Sequence, residues 1–273
     1  ELAGQEGRHD RARELLEDAR AALGRSGEPM LLARSLTALA KVHRQMGNLT
    51  TSRRLAREAL RIFEEIADTN GQATALHQLS VIAMLLKEID EGRKQLRDAL
   101  QLYEHTGNPL GQSACLNSLA ELHRHRGDLE QAEFYYERAC QISRSVGSSE
   151  ALIPSLDLAL TVLRRRRCAE PQAMLEEVAN ELKLHNRRGL LGGTHIGLLA
   201  CAAAEGDVEA VSLHFNEGRS LLTESGMIDP DIAWPAEMAG NLLASVEDGS
   251  WARACWEFSL NQWESLRRFE DAS

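Results

Sequence analysis

Arg44, Arg124 and Arg164 stand 80 and 40 residues apart, each one a whole number of 40-residue steps from the next. A guanidinium is a planar fork of donors that matches a carboxylate in two-point fashion. Arginines repeated at one period along a common face would therefore grip an acidic chain at several points. Lys41 and Arg165 lie beside this series, and Arg164 to Arg167 form an unbroken basic run. A second series at the same period is polar and uncharged in type: Thr37, His77 and Asn117. An asparagine amide in such a place can hydrogen-bond the backbone of an extended peptide. A second reading of the arginines stays open, because a cation also suits the C-terminal end of a helix.

Nothing in the chain points to covalent chemistry. There is no phosphate-binding G-x-x-x-x-G-K-[ST], no G-x-S-x-G nucleophile turn and no H-E-x-x-H or paired-cysteine metal pattern. Gly192-Gly193 is too isolated to cradle a phosphate and reads as a place of close helix packing. His123 and His125 are two residues apart and so face different sides of a helix. His43 and His123, 80 residues apart, read as packing residues. Cys115, Cys140, Cys168, Cys201 and Cys255 are scattered singly, which indicates reduced thiols in a cytoplasmic type of compartment. No catalytic residue, metal or cofactor is expected.

These side chains must be positioned by a repeat. Gly47-Asn48-Leu49 and Gly127-Asp128-Leu129 lie 80 residues apart, with Lys87-Glu88-Ile89 midway. A second turn series, Gly27, Asp68, Gly107, Gly147, Asn186 and Gly226, runs in the same register. Aromatic residues are only 4% of the chain while Ala, Leu, Glu and Arg dominate, which favours helices over strands. The pattern predicts helix pairs over 30–46 and 49–67, 71–86 and 89–105, and 109–126 and 129–145. Matching positions are apolar or small: Leu36, Leu76 and Leu116 in first helices, Ala59, Ala99 and Ala139 in second ones. Small residues let helices approach closely. The full division is a partial repeat at 1–27, then 28–67, 68–107, 108–147, 148–186, 187–226 and 227–273. Repeat four has Arg167-Cys168 in place of the Gly-Asp turn. In repeat six, Gly249, Trp251, Ala254 and Phe258 are expected to supply the turn and the inward face. Gly7, 40 residues before Gly47, is expected to be an inter-helix turn at Glu6-Gly7-Arg8. With Glu1 in place of an initiating Met, this suggests a segment cut from a longer array.

The net charge of −10 argues against general nucleic-acid binding, and no apolar run is long enough to insert in a membrane.

The residues Leu116-x-x-Leu119-Ala120-x-x-His123, followed by Gly127-Asp128-Leu129, Ala132, Tyr136 and Ala139, resemble the tetratricopeptide repeat, in its long form of about 40 residues. Leu116 and His123 replace the usual aromatic and tyrosine. The resemblance implies an all-α, right-handed superhelical solenoid of antiparallel helix pairs, whose first helices line a concave groove that receives a protein or peptide. It implies a non-catalytic scaffold or regulatory segment of a larger signalling protein. The alternative is a small-ligand sensor arm controlling an attached ATPase, kinase or DNA-binding domain. The groove residues implied are Thr37, Lys41, Arg44, His77, Asn117, Glu121, Arg124, Arg164 and Arg165, with an acidic partner the expectation for the arginines. The clamp of chaperone-binding relatives is not reproduced, since Lys41, Ala114 and Ser118 occupy its positions. On the last helix, Trp256, Trp263 and Leu266 should project away from the inward face. They would either cap the array or contact a second subunit.

Overall fold

A computed structural model describes residues 2–147, 151–166, 169–244 and 249–272. Among them are thirteen helices and no strand. They are α1 (Leu2–Ser26), α2 (Pro29–Gln45), α3 (Leu49–Glu65), α4 (Thr69–Leu85), α5 (Ile89–Thr106), α6 (Pro109–His125), α7 (Leu129–Ser145), α8 (Leu152–Arg166), α9 (Ala169–Leu184), α10 (Arg188–Glu205), α11 (Val208–Ser225), α12 (Pro230–Leu243) and α13 (Ser250–Ala272). Each helix packs chiefly on its sequence neighbours, as in α2 on α3, α4 on α5, α10 on α11 and α12 on α13. This is an all-α solenoid of the tetratricopeptide kind. Two compact units result, Glu1–Leu122 with Gln141–Val146, and His123–Cys140 with Gly147–Ala272.

The turns follow from local backbone chemistry. A left-handed residue after a helix lets its N–H and the next one close back on the last carbonyls. Gly47 and Gly127 take φ of 77° and 78°, and Lys87, midway between them, is forced to 62°. In the second series the left-handed residue is Ala67 (φ 55°), not Asp68. Asp68 instead caps the next helix, its Oδ1 accepting from the Gly71 N–H at 3.0 Å. The expected turn at Gly7 is absent, and α1 runs through it. One interior glycine costs a helix only ~1 kcal/mol.

The first unit closes on Leu36, Leu39, Leu55, Phe63 and Ile82, and the second on Leu163, Leu175, Leu182, Ile196 and Phe215. Each such side chain contributes roughly 1.5–3 kcal/mol by leaving water. Two glycines set the spacing in the first unit. A Cβ on Gly71 would lie 2.1 Å from the Phe63 ring, and one on Gly111 would lie 2.4 Å from the Tyr103 ring. The second helix of one pair thus seats an aromatic ring on bare backbone of the following helix. The turn of repeat four, Arg167-Cys168, lies outside the described residues.

Candidate partner-binding face

In the first unit, α2, α4 and the body of α6 carry Thr37, Lys41, Arg44, His77, Asn117 and Glu121. The hydroxyl of Thr37 is turned inward and donates to the Ala33 carbonyl at 2.8 Å, so it offers nothing to a partner. His77 Nε2 lies 2.9 Å from Ser118 Oγ, which ties α4 to α6. Burial first, and then the Arg44 charge, push the His77 pKa down to about 4, so the imidazole is neutral. Arg44 is itself half-buried, and loss of water lowers its pKa. Asn117 Oδ1 is buried and has no hydrogen-bond partner among the described residues. Lys41 is exposed and Glu121 half-buried.

The second unit holds the other arginines, and of the four arginines expected to meet an acidic partner two are paired within the fold and Arg44 is half-buried. Arg124, at the end of α6, forms an ion pair with Asp231 in the first turn of α12, with only 12% and 15% of the two side chains exposed. Arg165 donates from Nη1 to Glu133 Oε2 at 2.6 Å, and Glu133 is a buried carboxylate on α7. Arg44 in the first unit is desolvated, as above. A row of unengaged guanidinium groups is therefore not what the fold presents. The reason is that a buried carboxylate such as Glu133 must be neutralised, and the nearest cation is the one that does so.

Arg164 differs. It is exposed, and its guanidinium carbon sits 5.6 Å from the centroid of the Trp234 ring. Stacking on an aromatic face holds the group in place while leaving its N–H donors available. Beside this pair is a cavity of about 460 Å³ lined by Arg164, Trp234, Glu237, Met238, Asn241 and Leu242. Its lining combines apolar side chains with one cation, one carboxylate and one amide. The indole N–H of Trp256 donates to Asn241 Oδ1 at 3.1 Å, which leaves the Asn241 NH₂ as the donor in that lining. Trp234, Glu237 and Asn241 were not among the residues the sequence singled out. Trp234 lay between two prolines in a degenerate repeat, with no periodic partner to mark it.

Several of the other histidines and cysteines pack within the fold. His123 Nδ1 lies 3.0 Å from Asp128 Oδ2, closing the α6–α7 turn, and its ring stacks on Tyr135. His43 is buried and its pKa is lowered, mostly by loss of water. Cys115, Cys140, Cys201 and Cys255 are buried thiols. Among the described residues no three His, Cys, Asp or Glu side chains group to hold a metal, and no helix is long and apolar enough to cross a membrane.

A model of the tetratricopeptide repeat matches residues 1–65 and 71–145, and the chain belongs to that family. Among curated proteins none matches it in sequence. Several solved structures share the fold. A Rap protein complexed with competence and sporulation factor has TM-score 0.72 and 14% identity, over 98% of this chain and 74% of that one. The Rap conjugation gene regulator of plasmid pLS20, in complex with the Phr* peptide, has TM-score 0.71 and 15% identity, over 99% and 73%. Aspartyl phosphate phosphatase F from Bacillus subtilis has TM-score 0.69 and 13% identity, over 92% and 64%.

Proposed function

We propose that this chain is a regulatory tetratricopeptide scaffold that binds an extended peptide or protein segment along the face of its first helices, without catalysing a reaction. The observation that carries the reading is the Arg164–Trp234 cavity. An ordered guanidinium beside apolar side chains, with Glu237 and the Asn241 amide in the same lining, suits a segment with an apolar side chain next to a carboxylate or backbone carbonyl. Because Glu237 lines the same cavity, a segment that is amphipathic, with a carboxylate or carbonyl for Arg164, suits it. Lys41, Asn117 and Glu121 are the candidate contacts on the first unit taken by itself. Arg124 and Arg165 support the scaffold from inside. The Rap structures, which hold a competence and sporulation factor and a Phr* peptide, support a peptide as the ligand class. Buried cysteine thiols suit a reducing, cytoplasmic setting.

The test is selection of 12-residue peptides on the intact protein, followed by titration of the best against Arg164→Glu and Trp234→Ala variants. Each substitution should weaken binding at least tenfold with the helical signal unchanged. Binding that is indifferent to both would remove the cavity from the reading. Stabilisation by a small-molecule panel with no peptide selected would favour a small-ligand sensor instead.

A further inference from the structure

Each arginine of the 40-residue series meets a different environment, and one of the three is left uncompensated. Arg124 pairs with Asp231, and Arg164 lies over the Trp234 ring. Arg44 has neither kind of partner. Its guanidinium makes no hydrogen bond, ion pair or ring contact among the described residues, although the side chain is half-buried. Loss of water lowers its pKa, and no neighbouring carboxylate opposes that shift. The nearby carboxylate of Glu17 acts on His43 instead.

An arginine stays protonated at neutral pH, so the charge persists with part of its hydration stripped away. Arg44 sits in the last turn of α2, where the helix-end carbonyls return only ~0.3–1 kcal/mol. The surroundings otherwise add positive charge. Lys41, one turn earlier on the same face of α2, is exposed and likewise unpaired among the described residues. On α4, His77 is close enough for the Arg44 charge to oppose its protonation. Its Nε2 atom is engaged with Ser118 Oγ at 2.9 Å, which fixes the ring in place.

A half-dry cation without a carboxylate weakens the fold, and departures of that kind are kept where function requires them. We infer that Arg44, with Lys41 beside it, is a recognition site for the carboxylate of an acidic side chain, seated next to His77. A guanidinium engages both carboxylate oxygens at once, and the Lys41 ammonium can supply a further donor. That a peptide carries this carboxylate rests on the function proposed above. The need for a carboxylate does not, since all of these groups belong to the first unit and none lines the Arg164 cavity.

The first measurement is on the free protein. Arg44→Met removes the uncompensated charge and keeps most of the side-chain volume, so it should raise the urea midpoint. Arg124→Met, which strands Asp231, should lower it. A fallen midpoint in Arg44→Met would make Arg44 a scaffold residue and overturn the inference. Binding is then followed through the His77 ring signals by NMR, with capped Ala-Asp-Ala as probe and capped Ala-Asn-Ala as control. The aspartate peptide should move those signals saturably and raise the His77 pKa from about 4, because a bound carboxylate offsets the Arg44 charge. The asparagine peptide should bind at least tenfold more weakly, and so should the aspartate peptide to Arg44→Met. Equal response to the two peptides, an undiminished response in Arg44→Met, or no response would overturn the inference. So would inorganic phosphate binding where the aspartate peptide does not. Arg164→Glu should leave the response intact, so failure at the cavity and failure at Arg44 are separate results.

Discussion

The Nδ1 atoms of His195 on α10 and His214 on α11 lie 3.0 Å apart, so one must donate a proton and the other accept it. Both rings are neutral in this arrangement. Burial, then the neighbouring His214 and Lys183, push the His195 pKa down to about 4, and burial also lowers that of His214 against the opposing pull of Glu176. A base whose folded pKa is depressed takes up its proton in the unfolded chain first. Stability from this pair is therefore intact above pH ~6.5, the ordinary histidine value, and is lost as pH falls from there toward 4. The slope should approach ~1.4 kcal/mol per pH unit for each such group. Urea midpoints from pH 7.5 to 4 measure it. His77 adds a slope of the same sign, so His195→Gln should remove about one proton's worth of the pH dependence and no more. An unchanged slope in that variant would show that the pair does not titrate this way.

Two glycines offer the same substitution with opposite outcomes. Gly24, inside α1, has nothing within 4 Å of where a Cβ would be, while at Gly71 the Phe63 ring is 2.1 Å away. Gly24→Ala should stabilise by up to ~1 kcal/mol, the helix-propensity gain. Gly71→Ala has the same gain available, but overpacking costs ~1–3 kcal/mol and wins. Thermal unfolding of the two variants gives the signs directly. Adding Phe63→Leu to Gly71→Ala should cost less than the sum of the two single changes, because the leucine relieves the clash.

Much of the fold could be read because its punctuation is local. A left-handed residue is needed after each helix, and Gly47, Gly107, Gly127 and Gly226 announce it at fixed spacing. The site was less legible for a different reason. That Arg124 recurs at a period, with Arg165 beside the series, says which face they occupy, yet their partners Asp231 and Glu133 are 107 and 32 residues away. Such pairings depend on how successive helices rotate about one another, and no single-repeat pattern encodes that. In α13, Gly249 forms its left-handed turn (φ 55°) and Trp251, Ala254 and Phe258 pack on the core, but the fully buried places go to Ala252, Cys255 and Ser259, which no repeat pattern marked.

The buried cysteines should be inert until the fold opens. Burial pushes Cys115 and Cys201 up to about 12 and Cys255 up to about 11. At pH 8 a thiol of pKa 12 carries a thiolate fraction on the order of 10³-fold below that of a free cysteine, and the thiolate is the reactive form. In a Cys168→Ser background, a disulfide reagent should modify the native protein slowly and 6 M guanidinium should raise the rate at least a hundredfold. A fast native phase would mean that a repeat opens locally well below global unfolding.

The Arg124–Asp231 pair gives the sharpest test of what the periodic arginines do. Both side chains are largely withdrawn from water, so breaking the pair should cost more than a surface bridge would. Asp231→Ala is expected to lose about 2–4 kcal/mol of stability, since a desolvated guanidinium would no longer face its carboxylate. Arg124→Met combined with Asp231→Leu should come closer to the parent than either single change, because two apolar groups of similar volume need no desolvation. The charge-reversed pair, Arg124→Asp with Asp231→Arg, should recover at least part of what each single reversal loses. Urea unfolding of the parent, each single reversal and the reversed pair provides the cycle. If Asp231→Ala were silent in stability while peptide binding fell, Arg124 would belong to the partner-binding face after all, and Asp231 would serve only to hold it there.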